Sequence, residues 1–246
     1  MSLLAQWFEQ FSDTFNLVFI ADDRWKRYLL TGLGRTLLVT LGAIIIGVVI
    51  GTVVSTVRST YDKQIGDMRP GPLRLLLGFA DKICRVYLTV IRGTPVVVQL
   101  LIAYFVIMVS THNKMAVAII TFGINSGAYV AEIIRGGIMS IDNGQFEAGR
   151  SLGFNYVQTM RYIIIPQAFK NVLPSLANEF IVLLKETSVA GYIGLEDLAK
   201  GGDIIRGRTF VAFMPLFAVA LIYLLMVMFF TWLVGKLERR LRSSDH

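Results

Sequence analysis

The residues of this chain that can handle charge lie within apolar sequence. Asn125, Tyr129 and Glu132 fall at i, i+4 and i+7, so a helix carries all three on one face. Arg135 follows Glu132 by three residues and can pair with it. Glu179 and Glu186 are seven residues apart, as are Asn178 and Lys185, which defines two further faces. Gln99 stands one turn beyond Pro95. Such groups can capture and release a charged solute without making bonds. Glu179 could receive a cation, and Lys185 or a helix end an anion. Two readings stay open: these side chains line a translocation path, or they join helices and set gate packing. Covalent and metal chemistry have little to work with. Cys84 is the only cysteine, and His112 and His246 are the only histidines.

The elements that position these groups follow from where charge is missing. Of 246 residues, 54% are hydrophobic and 17% charged, against roughly 25% charged in a soluble domain. That excludes a disordered chain. Uncharged runs of 22, 21, 17 and 27 residues lie between Arg35 and Arg58, Arg92 and Lys114, Lys114 and Glu132, and Arg208 and Lys236. A bilayer core of roughly 30 Å needs about 20 apolar residues in a helix. A fifth apolar stretch, from Asn171 to Ile193, holds Glu179, Lys185 and Glu186. Charge within a span costs about 2.5–3.5 kcal/mol per residue, so these side chains should face protein or water. The expected fold is all-α and integral to the membrane, with about five spans near 32–57, 86–111, 115–139, 174–194 and 209–235. Gly47 and Gly51, like Gly123 and Gly127, form G-x-x-x-G pairs suited to close helix or subunit contact. Arg92 and Pro95 mark a helix start or a kink.

The start of the chain is not read as a cleavable signal peptide, because it lacks a basic n-region and carries Glu9, Asp13, Asp22 and Asp23. Leu3, Leu4, Trp7, Phe8, Phe11, Phe15 and Phe19 suit an amphipathic helix lying in the interface. With five spans, one side receives 13 Lys and Arg and the other 7. The richer side is expected to be cytoplasmic, which puts the N-terminus outside and the C-terminus inside. This sorting accounts for most of the net charge of +7, and no basic soluble domain points to nucleic acid.

Residues 140–173 form the longest polar connection between spans. Asn143 could cap a short helix from Gln145 to Leu152, and Gly153 could end it at positive φ. Asn155 could cap a second helix, with Pro166 and Pro174 setting the entry to the next span. Two short helices joined at a glycine make a compact knob suited to a partner's groove.

Within this loop, Glu147-Ala148, Gly153 and Ile165-Pro166 resemble the EAA motif of ABC importer permeases, although Gly149 stands where a literal motif has a second alanine. Arg92-Gly93-Thr94-Pro95 with Gln99 resembles a segment of the polar amino acid permeases. So do Asn125-Ser126-Gly127-Ala128-Tyr129 with Glu132 and Arg135-Gly136-Gly137, and Lys185-Glu186-Thr187-Ser188. Arg208-Thr209-Phe210 and Leu237-Glu238-Arg239-Arg240 resemble the last span and its end. The similarity runs in order from about 30 to 240. It is to the histidine/glutamine/arginine/glutamate/opine type, of the binding-protein-dependent inner membrane component family with the MetI-like type I fold.

The resemblance implies a permease subunit of a bacterial inner-membrane importer for a polar amino acid. Residues 29–240 would form the permease domain, 1–28 an external amphipathic segment and 241–246 a cytoplasmic tail. It implies ABC ATPase subunits docking on Glu147, Ala148, Gly153 and Pro166, a second permease copy or paralogue, and an external amino-acid-binding protein. The loop at 195–208, rich in charge, either meets that binding protein or is solvated. No G-x-x-x-x-G-K-[ST] phosphate loop is present, since Gly235-Lys236 is followed by Leu237. The chain itself is therefore expected to bind no cofactor, with ATP used by a separate subunit. The alternatives are a permease for another small solute, such as methionine or a phosphonate, and a channel or membrane scaffold.

Overall fold

The computed structural model describes residues 3–66 and 68–242, which are helices and short turns with no strand among them. Two long helices form its centre, α2 (Thr31–Gln64) and α5 (Lys114–Met139). Lipid tails are as apolar as leucine, so helices in a bilayer associate by close packing rather than by hydrophobic burial. The two glycine pairs supply that packing, and they meet each other. A Cβ added at Gly51 would come within 2.5 Å of Val130 Cγ1, and one at Gly123 within 2.7 Å of Ile46 Cβ. A Cβ at Gly127 would meet both Ile50 Cγ2 and Tyr87 Oη at 2.9 Å. The G-x-x-x-G pairs therefore serve packing within one chain. Phe122, Ala118, Val39, Ala43, Leu100 and Leu183 close the core above this contact.

Around this pair run α1 (Leu3–Phe15), α3 (Pro72–Gly93), α4 (Val96–Ile102, continued by a π-helical stretch Ala103–Ile107), α6 (Asn143–Ser151) and α7 (Tyr156–Thr159). The later helices are α8 (Ile165–Glu186), α9 (Leu198–Thr209) and α10 (Phe213–Arg242). Among the described residues, three helical stretches are long and apolar enough to cross a membrane: Trp25–Gln64, Lys114–Met139 and Phe213–Leu241. A fourth, Pro72–Gly93 with Val96–Ile107, qualifies as a pair bent by 106°. The expected second span is thus a broken one, and Pro95 is its kink. Helix α8 carries Lys170, Glu179, Lys185 and Glu186, and does not qualify on apolar content. It packs on α5 instead, with Val172 seated against Gly137.

Two local expectations, on Pro174 and on 195–208, are corrected. Helix α8 starts at Ile165 with Pro166 in its first turn, so Pro174 lies inside the helix instead of opening it. The π-helical turn Met160–Ile164 leads straight into α8, so both prolines lie within one helical run and each withholds an N–H from the ladder. The stretch 59–84 is mostly helix, as α2 runs on to Gln64 and α3 begins at Pro72. The charged stretch 195–208 is largely helix α9, wedged beside the start of α2. Thr36 Oγ1 accepts from Leu198 N at 3.2 Å, and Gly201 packs on the Tyr28 carbonyl. Its charges are satisfied locally. Asp203 pairs with Lys200 at 2.8 Å and with Arg206 at 2.5 Å, and Arg35 pairs with Glu196 at 2.8 Å. At the chain start, Phe8 and Phe11 of α1 are exposed, while Val18, Tyr28 and Leu29 are buried against α9 and α10.

Two predictions follow from packing and burial. Gly51→Val should lower stability by about 1–3 kcal/mol through overpacking, read as a lower melting temperature of the detergent-solubilised chain. Gly34→Ala, where no atom lies within 4 Å of an added Cβ, should leave it unchanged or raised. Asp197 caps α9, accepting from Lys200 N at 3.0 Å, and burial pushes its carboxyl up to about 6. An acid raised above its unfolded value of about 3.9 contributes stability that is fully present below that value and lost as pH rises through 6. Hydrogen exchange of α9 amides, compared with their intrinsic rates, should show protection falling between about pH 4 and 6. Asp197→Asn should remove that slope.

Candidate functional site

The break between α3 and α4 builds the upper part of the site. The extended backbone at Thr94 and Pro95 ends α3, and Pro95 has no N–H with which to continue it. The last carbonyls of α3 are left without helical partners. Gln99, one turn into α4, folds back and fills the gap. Its Nε2 donates to Ile91 O at 2.7 Å, Thr94 Oγ1 at 2.8 Å and Thr94 O at 3.1 Å. Its Oε1 accepts from Nδ2 of the buried Asn125 at 3.0 Å. Gln99 therefore holds the 106° bend and ties it to α5.

The face expected on α5 exists, and each member meets a different neighbour. Asn125 bonds to Gln99 on α4. Tyr129, partly exposed, lies under the Arg92 guanidinium at 5.7 Å. Glu132 pairs with Arg135 at 3.1 Å, as its spacing implied. That pair extends into a lattice that sequence reasoning missed. Arg58 lies 3.8 Å from Glu132 and 3.6 Å from Asp81, Arg85 pairs with Asp81 at 2.7 Å, and Arg135 lies 3.4 Å from Asp62. These alternating charges link the ends of α2 and α5 to the middle of α3. The available signal was Asp81 itself, a lone acid on an apolar helix.

On α8 the two expected faces separate. Glu179 is buried and Glu186 half-buried, whereas Asn178 and Lys185 are exposed. Ser126 Oγ of α5 donates to Glu179 Oε1 at 2.9 Å. Glu179 has no ion-pair partner among the described residues. A buried carboxylate held by one hydroxyl is poorly compensated. It is chemically suited to take a cation. Ser126 is a second residue that spacing alone did not single out. It neighbours Asn125 but faces α8, where its small side chain leaves room for Glu179.

The knob lies at the other end of α5. Asp142, not Asn143, caps α6, since its carboxylate accepts from Gly144 N at 2.6 Å. Asn143 instead accepts from Lys63 at 2.8 Å. Gly153 ends the turn with φ +78, as expected. Asn155 and Gln158 form a reciprocal capping box on α7. Phe146, Ile141, Ile138, Ile164 and Ala168 form the knob's own core. Gly149 has its reason here: a Cβ would come within 2.6 Å of Thr159 Oγ1. Glu147, Ala148, Leu152, Val157, Tyr162 and Pro166 face outward. Burial pushes the Tyr156 phenol up.

Comparison with known proteins bears on this arrangement. The family model of the "Binding-protein-dependent transport system inner membrane component" matches residues 71–243. The chain is 36% identical over 233 residues to the arginine transport system permease protein ArtQ of Bacillus subtilis, covering 94% of this chain and 100% of ArtQ. It is 38% identical over 180 residues to the glutamine transport system permease protein GlnP of Escherichia coli, covering 68% and 82%. A crystal structure of an amino acid ABC transporter with histidines aligns with a TM-score of 0.77 at 38% identity, covering 90% of this chain and 98% of that one. The MetNI methionine ABC transporter aligns with a TM-score of 0.69 at 19% identity, covering 88% and 97%, which shows the shared fold.

Removing the Gln99 amide leaves carbonyls of α3 unpaired. Gln99→Leu should cost about 1–3 kcal/mol, while Asn125→Ala, losing one bond, should cost about 0.5–1.5 kcal/mol. Thermal unfolding in detergent reads both, and equal effects would contradict the role given to Gln99 at the bend.

Proposed function

The chain belongs to the family of binding-protein-dependent transport system inner membrane components, and on that footing we propose that the cargo it moves is a polar amino acid. The observation that carries this is Glu179: a buried acid, held by the Ser126 hydroxyl alone, in an apolar bundle. A polar amino acid presents an ammonium that such a carboxylate can receive. Its carboxylate can be met by Lys185 or by a helix end. The similarity to ArtQ, GlnP and the amino acid transporter structure supports the same solute class. Gln99, Asn125, Tyr129 and Glu132 then serve the path by fixing the broken span beside it, and Glu186 continues the Glu179 face of α8, with Asn178 on the other, exposed face.

The knob is the docking surface for the ATPase. Its own core fixes its shape, and Glu147, Ala148 and Leu152 stand outward on it. ATP is bound by that separate subunit, since the chain carries no phosphate-loop sequence and binds no cofactor itself. One chain encloses little, so the path forms with a second copy or a paralogue. An external binding protein delivers the solute. The knob side, rich in Lys and Arg, is cytoplasmic, which places the N-terminus outside with α1 lying in the interface. ATP-driven closure of the ATPase pair would rock the spans through differential affinity for the two states.

Other solutes of the superfamily, such as methionine or a phosphonate, fit less well because the Arg92–Pro95 and Lys185–Ser188 segments follow the polar amino acid pattern. A channel would conduct without nucleotide.

The test is uptake by the reconstituted complex. Glu147→Ala and Gly153→Val should reduce uptake at least tenfold, with ATPase binding weakened or ATP hydrolysis uncoupled. Glu179→Gln should reduce uptake while sparing ATPase binding. Unchanged uptake in the knob variants would sink the docking assignment, and unchanged uptake in Glu179→Gln would sink its role in the path.

A further inference from the structure

We propose that the cytoplasmic end of α3 holds an anionic phospholipid. Its headgroup would sit between Arg74 and Lys82, and its chains along the apolar face of the same helix.

Two adjoining hollows carry the inference. One, of about 610 Å³, lies between the end of α2 and the start of α3, and is lined by Tyr61, Gly71, Arg74 and Lys82 among others. The second, of about 570 Å³, continues along α3 past Ile83, Val86 and Val90, and is almost wholly apolar. Phe79 and Lys82 line both, so a molecule could pass from one to the other. A basic end leading into an apolar groove matches a lipid with a negative headgroup.

The charges at the basic end are available. Arg58 and Arg85 are engaged by Asp81, and Lys63 by Asn143 and the Phe146 ring. Lys82 has no carboxylate partner among the described residues. Arg74 donates one bond, to Met68 O at 3.0 Å, which leaves other guanidinium donors for a phosphate. The positive end of the α3 dipole lies at Gly71, on the same cavity. Sixteen residues separate Arg74 from Val90. That is about 24 Å of helix, close to the roughly 20–22 Å of one leaflet with its headgroups.

The site belongs to the knob's end of the molecule, because Tyr61 is two residues from Lys63, which bonds to Asn143 of α6. It rests on the chain spanning a bilayer and not on the cargo, so its test reads lipid directly.

The full chain is purified and exchanged into nanodiscs or vesicles of phosphatidylglycerol or phosphatidylcholine, and retained lipid is counted by native mass spectrometry. Phosphatidylglycerol should be retained over phosphatidylcholine. Each charge near an anionic surface contributes about fivefold in affinity. Arg74→Gln with Lys82→Gln should therefore weaken retention by about twenty-five-fold, and the Arg74→Lys, Lys82→Arg exchange should largely keep it. The Lys236→Gln, Arg239→Gln pair, which removes cations elsewhere on that side, should change nothing. Equal retention of both lipids, no loss in the double Gln variant, or equal loss in the control would overturn the proposal. So would Ile83→Cys in a Cys84→Ser background, if it cross-linked to a second copy of the chain in place of lipid.

Discussion

Everything in this molecule hangs on how closely α2 and α5 approach. In a bilayer there is no water to drive helices together, and every Å of separation forfeits dispersion contacts. Gly47, Gly51, Gly123 and Gly127 let Ile46, Ile50 and Val130 of the facing helices sit against bare backbone. The contact puts Ser126 where it can reach Glu179 and Asn125 where it can reach Gln99. Polar groups can enter such a core only when they find partners at once, because water cannot rescue them. The close packing and the polar pairs therefore depend on each other.

The bend between α3 and α4 shows the same economy. A broken helix in lipid exposes carbonyls that must be met internally. One side chain, Gln99, meets two of them and also anchors the bend to Asn125. Of the two readings open for Gln99, lining a path or joining helices, these bonds fit the second: its polar atoms are turned inward to the backbone and to Asn125. Below it, Asp81 serves α3 in a similar way, drawing Arg58 and Arg85 together where the helix leaves the core. The span is thus pinned at its kink by amides and midway along α3 by ions. Apart from Lys82, its outward face is left apolar from Leu75 to Val90.

What was legible in the residues was what depends on local periodicity. The charge-free runs located α2, α5 and α10, and the Asn155 cap and the Gly153 turn of the knob followed from short-range chemistry. What was hidden depends on contacts far apart in the chain. Asn143 looked like a cap because of its type, but it is drawn to Lys63, 80 residues away, and Asp142 takes the cap. The stretch 195–208 looked like a loop, either solvated or meeting a partner, because it is charged. Its acids and bases pair within one turn, which frees Leu198 and Ile205 to bury themselves against the start of the chain. Ser126 carried no signal of its own, since a hydroxyl in a small-residue helix gives no hint of which neighbour it will face.

The knob and the buried acid are connected by the same logic. Helix α5 runs from Ser126 to Met139 and enters the knob at Ile138 and Ile141. From Tyr156 the chain returns helically through Ile164, with no break before Glu186. Glu179 lies fourteen residues beyond Ile165, or about 21 Å along a helix. The knob's core of Phe146, Ile164 and Ala168 clamps the bases of both helices. A force on the outward face of the knob is therefore delivered to α5 and α8 at once. Any relative shift between those helices must be felt at the bond from Ser126 to Glu179, because that pair spans them in a buried position with no other charge to compensate. Loosening it leaves a buried carboxylate without its hydroxyl partner. A displacement of the knob and a change at the bond from Ser126 to Glu179 are thus linked through α5 and α8.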